Sequence, residues 1–405
     1  MNIGVLTFYR EINFGANLQA LSTFHYLKKK GHNPIFIHYF SMGKEAKYAP
    51  MFEEVQPNCH REFVDSFITN QTPVCHNSDD INNVIKDYCI EAIIVGSDAV
   101  VQNHPLFSRL HFDKKRILRK TLSFDDTTFP NPFWGEKINK NIKMAMMSVS
   151  CQDSDFHRYS NSLVIQMKKA LNGFVYLSVR DHWTKNMFEY ILDSSTMEVN
   201  LTPDPVFNFN ENAGELLLTK EEICKKYTLP DIYVLVSLHG QSLSYNTLNE
   251  LKDGFIDKNI ECVALPMPFG VSFKHPFNFE IPIPLSPLDW FALIKYSAGY
   301  IGNNMHPIVS CLHNAIPCFS IDNYGTKDFW NRPMKESSSK VLHIMQRFGV
   351  QSNLCQVNRG KCNIQAQRII DGIMTFPKKN VAKIAEEIKL EYNQMMETII
   401  NRFRN

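Results

Sequence analysis

The sequence predicts an α/β protein of two tandem halves with a cleft between them. Three observations carry this prediction. The 405 residues are too many for one ordinary domain and suit two of about 200 each. The chain opens strand, helix, strand, which predicts a parallel sheet. A segment rich in Pro, Asn and Gly at 201–215 (LTPDPVFNFNENAGE) marks a break, and a second α/β set follows it.

In the first half, Asn2–Phe8 reads as a strand. Leu18, Leu21, Phe24 and Leu27 recur at helical spacing before the basic turn Lys28–Lys30 and Gly31, and Ile35–Tyr39 reads as the next strand. Buried strands are expected at Ala92–Val95, Met144–Val149 and Phe174–Ser178, with an irregular surface excursion over Ser108–Lys140. In the second half, strands are expected at Tyr233–Leu238, Glu261–Leu265, Gly299–Gly302 and Cys318–Ile321. Helices are expected at Ser244–Phe255, Pro287–Ser297 and from Pro307, and Asn380–Phe403 reads as one long amphipathic helix.

Composition is that of a globular chain, 44% hydrophobic and 21% charged. A net charge of +2 gives no field that would draw the protein to nucleic acid. No apolar run is long enough to span a membrane, and Met1–Gly15 lacks the basic start and apolar length of a signal peptide. A cytoplasmic chain is therefore expected, with peripheral contact at the inner face of the membrane left open. The ten cysteines are scattered with no CxxC pair, so reduced thiols and no zinc are expected. Cys311 and Cys318 read as small core residues.

In open parallel sheets ligands bind beyond the carboxyl ends of the strands, so the polar residues there are the site candidates. Gly302–Pro307 (GNNMHP) places His306 at a helix start, where free N–H groups and the helix dipole favour a phosphate or carboxylate. Histidine is also a natural general acid. Arg180, in Ser178–Asp181 (SVRD), could grip such an anion in bidentate fashion, against a salt bridge with the neighbouring Asp181 or another acid. Asp98, in Gly96–Asp98, could handle a sugar hydroxyl or cap a turn. In the loop NFGANLQ, Asn17 and Gln19 could face the cleft, and Asn13 suits a helix cap. Asp204, between Pro203 and Pro205, reads as a structural turn. The basic run Lys114–Arg116 with Arg119 and Lys120 could meet an anionic lipid or acceptor phosphate, although a solvated face is the simpler account.

Five segments together resemble the polysaccharide pyruvyl transferases: NFGANLQA (13–20), VGSDAV (95–100), SVRD (178–181), TPDPV (202–206) and NMHPIVSCLHNAIP (304–317). They come in that family's order and cover roughly residues 1–325. The resemblance implies a GT-B-like fold of two Rossmann-like domains: 1–205, with the 380–405 helix packing back on it, and 206–379, carrying the donor-binding helix start. It implies phosphoenolpyruvate as co-substrate, with no cofactor and no metal. The acceptor it implies is a sugar, open to lipid linkage. Donor binding falls to Arg180, Asn304, Met305 through its main chain, and His306. The reading of the strand ends themselves, set beside the resemblance, gives catalysis to His306 and Asp98 and acceptor binding to Asn13, Asn17 and Gln19. Many members carry Arg where Asn304 stands, a charge-assisted contact worth about 1.5–3 kcal/mol. Lys295 and His313 are candidates to replace it. A glycosyltransferase using a nucleotide sugar and a non-catalytic sugar-binding homologue remain the alternatives.

Overall fold

The computed structural model describes residues 1–112, 117–193, 196–325, 338–358 and 360–405. Lys114–Arg116 of the basic run therefore lie outside the described residues. Arg119 and Lys120 are exposed on a short antiparallel hairpin, Leu110–Phe112 with Leu118–Lys120, within the excursion expected to be irregular.

The first sheet has six strands, all paired in parallel. They are β1 (Asn2–Leu6), β2 (Asn33–Phe36), β3 (Ala92–Asp98), β4 (Lys143–Val149), β5 (Leu177–Val179) and β6 (Val199–Leu201). Their spatial order is β2-β1-β3-β4-β5-β6. The second sheet, also parallel and six-stranded, uses β7 (Tyr233–Ser237), β8 (Glu261–Ala264), β9 (Phe279–Glu280), β10 (Gly299–Gly302), β11 (Cys318–Asp322) and β12 (Leu354–Gln356). Its order, β9-β8-β7-β10-β11-β12, is that of a Rossmann fold.

Local sequence explains the central strands. Ala92–Asp98 and Tyr233–Ser237 are buried at every position, which is why they read as continuous apolar runs rather than alternating ones. In each sheet the order reverses beside the first strand, between β1 and β3 and between β7 and β10. These switch points are where such sheets hold ligands.

The segment 201–215 is not a loose linker. Asp204 accepts from the Val206 N–H at 3.0 Å and starts the turn Pro205–Asn208. Val206, Phe207 and Phe209 are fully buried in a core that joins helices and strands of both halves. Turn-forming residues gave the appearance of a break, and the apolar residues among them make it a packed crossing.

The last helix, Lys378–Arg404, buries Val381, Ala385, Ile388, Tyr392, Met395, Ile399 and Phe403 on one face. It packs against the first sheet. The Met395 sulfur lies 3.2 Å from Ser148 Oγ and 3.5 Å from Ser178 Oγ, and Lys143 Nζ donates to the Phe403 carbonyl at 3.1 Å. Among the described residues no helix is long and apolar enough to cross a membrane.

Cys311 and Cys318 are buried free thiols of the core. Cys355 and Cys362 form a disulfide, which corrects the expectation that every thiol is reduced. Their seven-residue separation spans a tight polar loop, which brings the two sulfurs together.

Candidate active site

A cavity of about 1300 Å³ opens where the carboxyl ends of the two sheets meet. From the first half it is lined by Glu11, Phe14 and Gly15 after β1 and by Asp98 at the end of β3. From the second half come His239 after β7, Pro268 after β8, and Asn304 and His306 after β10. Tyr324 and Lys340 complete that wall.

The helix expected from Pro307 begins two residues earlier and runs Met305–His313. Asn304 is its N-cap but makes no side-chain cap bond, so its amide remains at the cavity surface, 3.6 Å from the Met267 sulfur. Met305 packs its side chain into the core, and its backbone amide meets the Tyr324 hydroxyl. His306 occupies the second helical position, with its ring in the cavity wall. Burial lowers its pKa to about 4, so the ring is neutral at pH 7, and Nε2 has no hydrogen-bond partner among the described residues. Asn303, which sequence reasoning passed over, ties the strand ends together. It accepts from His239 N–H at 2.6 Å and donates to the Ile321 carbonyl at 2.7 Å.

Gly15 explains the glycine of the 13–20 loop. A β-carbon there would lie 1.9 Å from His306 Cγ, so only glycine lets the first helix of one half seat the histidine of the other. Asn13 caps that helix, accepting from the Gly15 and Ala16 amides at 2.9 and 3.4 Å, and also lines the cavity.

Asn17 and Gln19 do not face the cleft, contrary to expectation. Asn17 is fully buried; it donates to the Tyr9 carbonyl at 2.9 Å and its Oδ1 lies 2.7 Å from His60 Nδ1. Gln19 donates to Asp204 beneath the site. Two positions apart, they leave the helix on different sides, Asn17 toward the 9–11 loop and His60 and Gln19 toward Ser97 and Asp204.

Arg180 also differs from expectation. Its guanidinium is enclosed, with Nη1 donating to Asp204 at 2.9 Å and Nη2 to Asp98 at 3.1 Å. The ion-pair reading holds, with these two acids rather than the neighbouring Asp181, which caps the following helix and accepts from Thr184 N–H at 2.7 Å. Arg180 thus stands behind Asp98 and has no surface on the cavity. Burial opposes the charge on Asp98, but Arg180, with His306 and Lys340, holds its carboxyl below the usual range. Asp98 therefore lines the cavity as an ionised group. Its φ of 92° lies in the left-handed region that non-glycine residues rarely adopt, and its Oδ1 accepts from its neighbour Ala99 N–H at 2.7 Å.

The candidates to replace a cation at 304 lie elsewhere. Lys295 donates to Asn210 at 3.0 Å, the half-buried His313 accepts from the Asn210 N–H at 3.3 Å, and neither lines the cavity. Lys340, which the sequence did not single out, does line it. At the first-half end of the cavity, Lys44 pairs with Glu11 and, at 3.1 Å, with Asp126, and its ammonium sits 3.9 Å over the Phe8 ring. Among the described residues no cluster of acidic, His or Cys side chains could hold a metal ion.

Residues 13–324 match the family described as polysaccharide pyruvyl transferase. The chain belongs to that family. In the polysaccharide pyruvyl transferase framework, all five family-like segments fall on or directly beneath the cavity. The fold has wider company. Over 99% of this chain and 100% of the other, it is similar to UDP-GlcNAc 2-epimerase from Neisseria meningitidis bound to UDP-GlcNAc, with a TM-score of 0.57 at 13% identity. Over 100% of this chain and 98% of the other, it is similar to a glycosyltransferase from Rickettsia africae, with a TM-score of 0.51 at 12% identity. These likenesses make the transferase GT-B-like in fold. No curated protein matches the sequence.

Proposed function

We propose that the protein transfers the pyruvyl group of phosphoenolpyruvate to two hydroxyls of a sugar in a polysaccharide precursor, forming a pyruvate ketal and releasing inorganic phosphate. One observation carries this reading beyond family membership. A helix start, a histidine with an unpartnered ring nitrogen and a lysine ammonium line one cavity at the strand ends. That is a site for a small ligand bearing phosphate and carboxylate.

The donor lies with an anionic group at the Met305 helix start and its methylene toward His306. His306 is neutral in the empty site, and the donor's negative charge raises its proton affinity. Protonated, it delivers a proton to the methylene carbon as one sugar hydroxyl adds to C2. The C2–O bond to phosphate then breaks, the second hydroxyl closes the ketal, and the two hydroxyl protons pass to His306 and to the departing phosphate. Asp98, held ionised by Arg180, orients an acceptor hydroxyl from the first-half side.

Calorimetric titration with phosphoenolpyruvate, run beside His306→Ala, tests the donor. Saturable binding by the wild type, with transfer abolished in a folded variant, is the expected result. Full transfer by the variant would overturn the role of His306, and no binding by the wild type would overturn the donor.

A further inference from the structure

Lys340 opens the helix Lys340–Arg347, whose N-cap Ser339 is held by Asp322. A lysine at a helix start is ordinarily solvated, and the helix dipole there disfavours a cation. Here the side chain turns inward until the residue is 8% exposed. Its ammonium sits 4.5 Å over the centre of the Tyr324 ring, a cation–π contact. The hydroxyl of that ring meets the Met305 amide at the start of the 305–313 helix. Lysine and helix start are thus linked through one side chain, and both line the cavity.

No acidic side chain among the described residues forms an ion pair with Lys340. Asp98 is the strongest acidic influence on it, and the Asp98 carboxylate is already engaged by Arg180. A buried ammonium without a carboxylate partner is costly, and the cost is recovered when an anion enters beside it. Asn304, at the same helix start, brings no charge and makes no cap bond.

We infer that Lys340 is the cation that receives an anionic group of the donor, held in place by the Tyr324 ring, and that it does at this helix start what a guanidinium at position 304 would do. The inference rests on the reading of the cavity as a phosphoenolpyruvate site.

The test is calorimetric titration of wild type, Lys340→Met, Lys340→Arg and the double variant Asn304→Arg/Lys340→Met. The probes are phosphoenolpyruvate, inorganic phosphate and UDP-GlcNAc, with a thermal melt of each protein in the absence of ligand. Lys340→Met should melt no lower than the wild type, because a buried charge with no ion pair among the described residues has been exchanged for an apolar chain of similar length. Its affinity for phosphoenolpyruvate should fall about ten- to a hundredfold. Lys340→Arg should keep most of the affinity, and Asn304→Arg should restore much of what Lys340→Met loses, which a merely structural lysine would not allow. Wild-type affinity in Lys340→Met overturns the inference and leaves the donor reading standing. A wild type that ignores phosphoenolpyruvate, yet binds phosphate or UDP-GlcNAc through Lys340, overturns the donor and keeps the anion-binding role. A wild type that binds none of the three overturns both.

Discussion

Gly15 of the first half and His306 of the second are in van der Waals contact across the cleft, and the space for a single methyl group between them does not exist. A β-carbon at position 15 would stand 1.9 Å from Cγ, 2.1 Å from Nδ1 and 2.3 Å from Cδ2 of the imidazole. The ring is therefore positioned by the half of the molecule that does not carry it.

Gly15→Ala should displace His306 and leave most of the fold in place. Misplacing a reacting group by about 1 Å can cost about a hundredfold in rate, and that is the expected loss in transfer. Steady-state kinetics beside a far-ultraviolet circular dichroism spectrum measures it. Unchanged kcat/KM would mean that the ring need not stay where it is.

Arg180→Met should destabilise the protein by about 3–5 kcal/mol, because it strands Asp98 and Asp204 as two buried carboxylates sharing no cation. Urea unfolding of the variant against the wild type gives the number. Asp204→Asn in the Arg180→Met background should return part of the loss by removing one of the two charges.

Stability should fall as the pH drops from about 6.5 toward 4. Burial lowers His306 and His38 to about 4 and His313 to about 3. Each is harder to protonate folded than unfolded, so in this window the unfolded chain binds more protons and is favoured as protons are added. Melting temperatures measured across that range check the sign. A flat profile would mean that these imidazoles are not buried as neutral groups.

Trp290 lines the cavity and stacks on Phe14 at 5.1 Å, nearly parallel. Trp290→Ala should cost about 3–5 kcal/mol and loosen the contact between the halves. In the wild type, ligand entry should change the fluorescence of this residue, and Trp290→Phe should abolish that part of the signal.

Much of this was legible in the residues. The parallel strands announced themselves as short apolar runs, and the helix start at GNNMHP was readable because Pro and His there have few other uses. What escaped was decided by tertiary packing. That Arg180 could pair with an acid was readable, but its partners lie 82 and 24 positions away, where no local pattern points. Asn17 and Gln19 are polar residues in a loop-like stretch, and only the packing of their helix turns them inward. Lys340 begins an amphipathic helix that any reading would place in water. The passage between the halves at 201–215 and its turn at Asp204 were readable, but not the burial of Val206, Phe207 and Phe209 that packs it.

The final helix carries the chain back onto the first sheet after the second has been completed, so the backbone passes between the halves twice. A door hung at one point can swing and twist, whereas a door hung at two can only swing. Any opening of the cleft is thereby confined to rotation about the line joining the crossings. A proteolytic cut at either one alone would leave the two leaves still joined by the other.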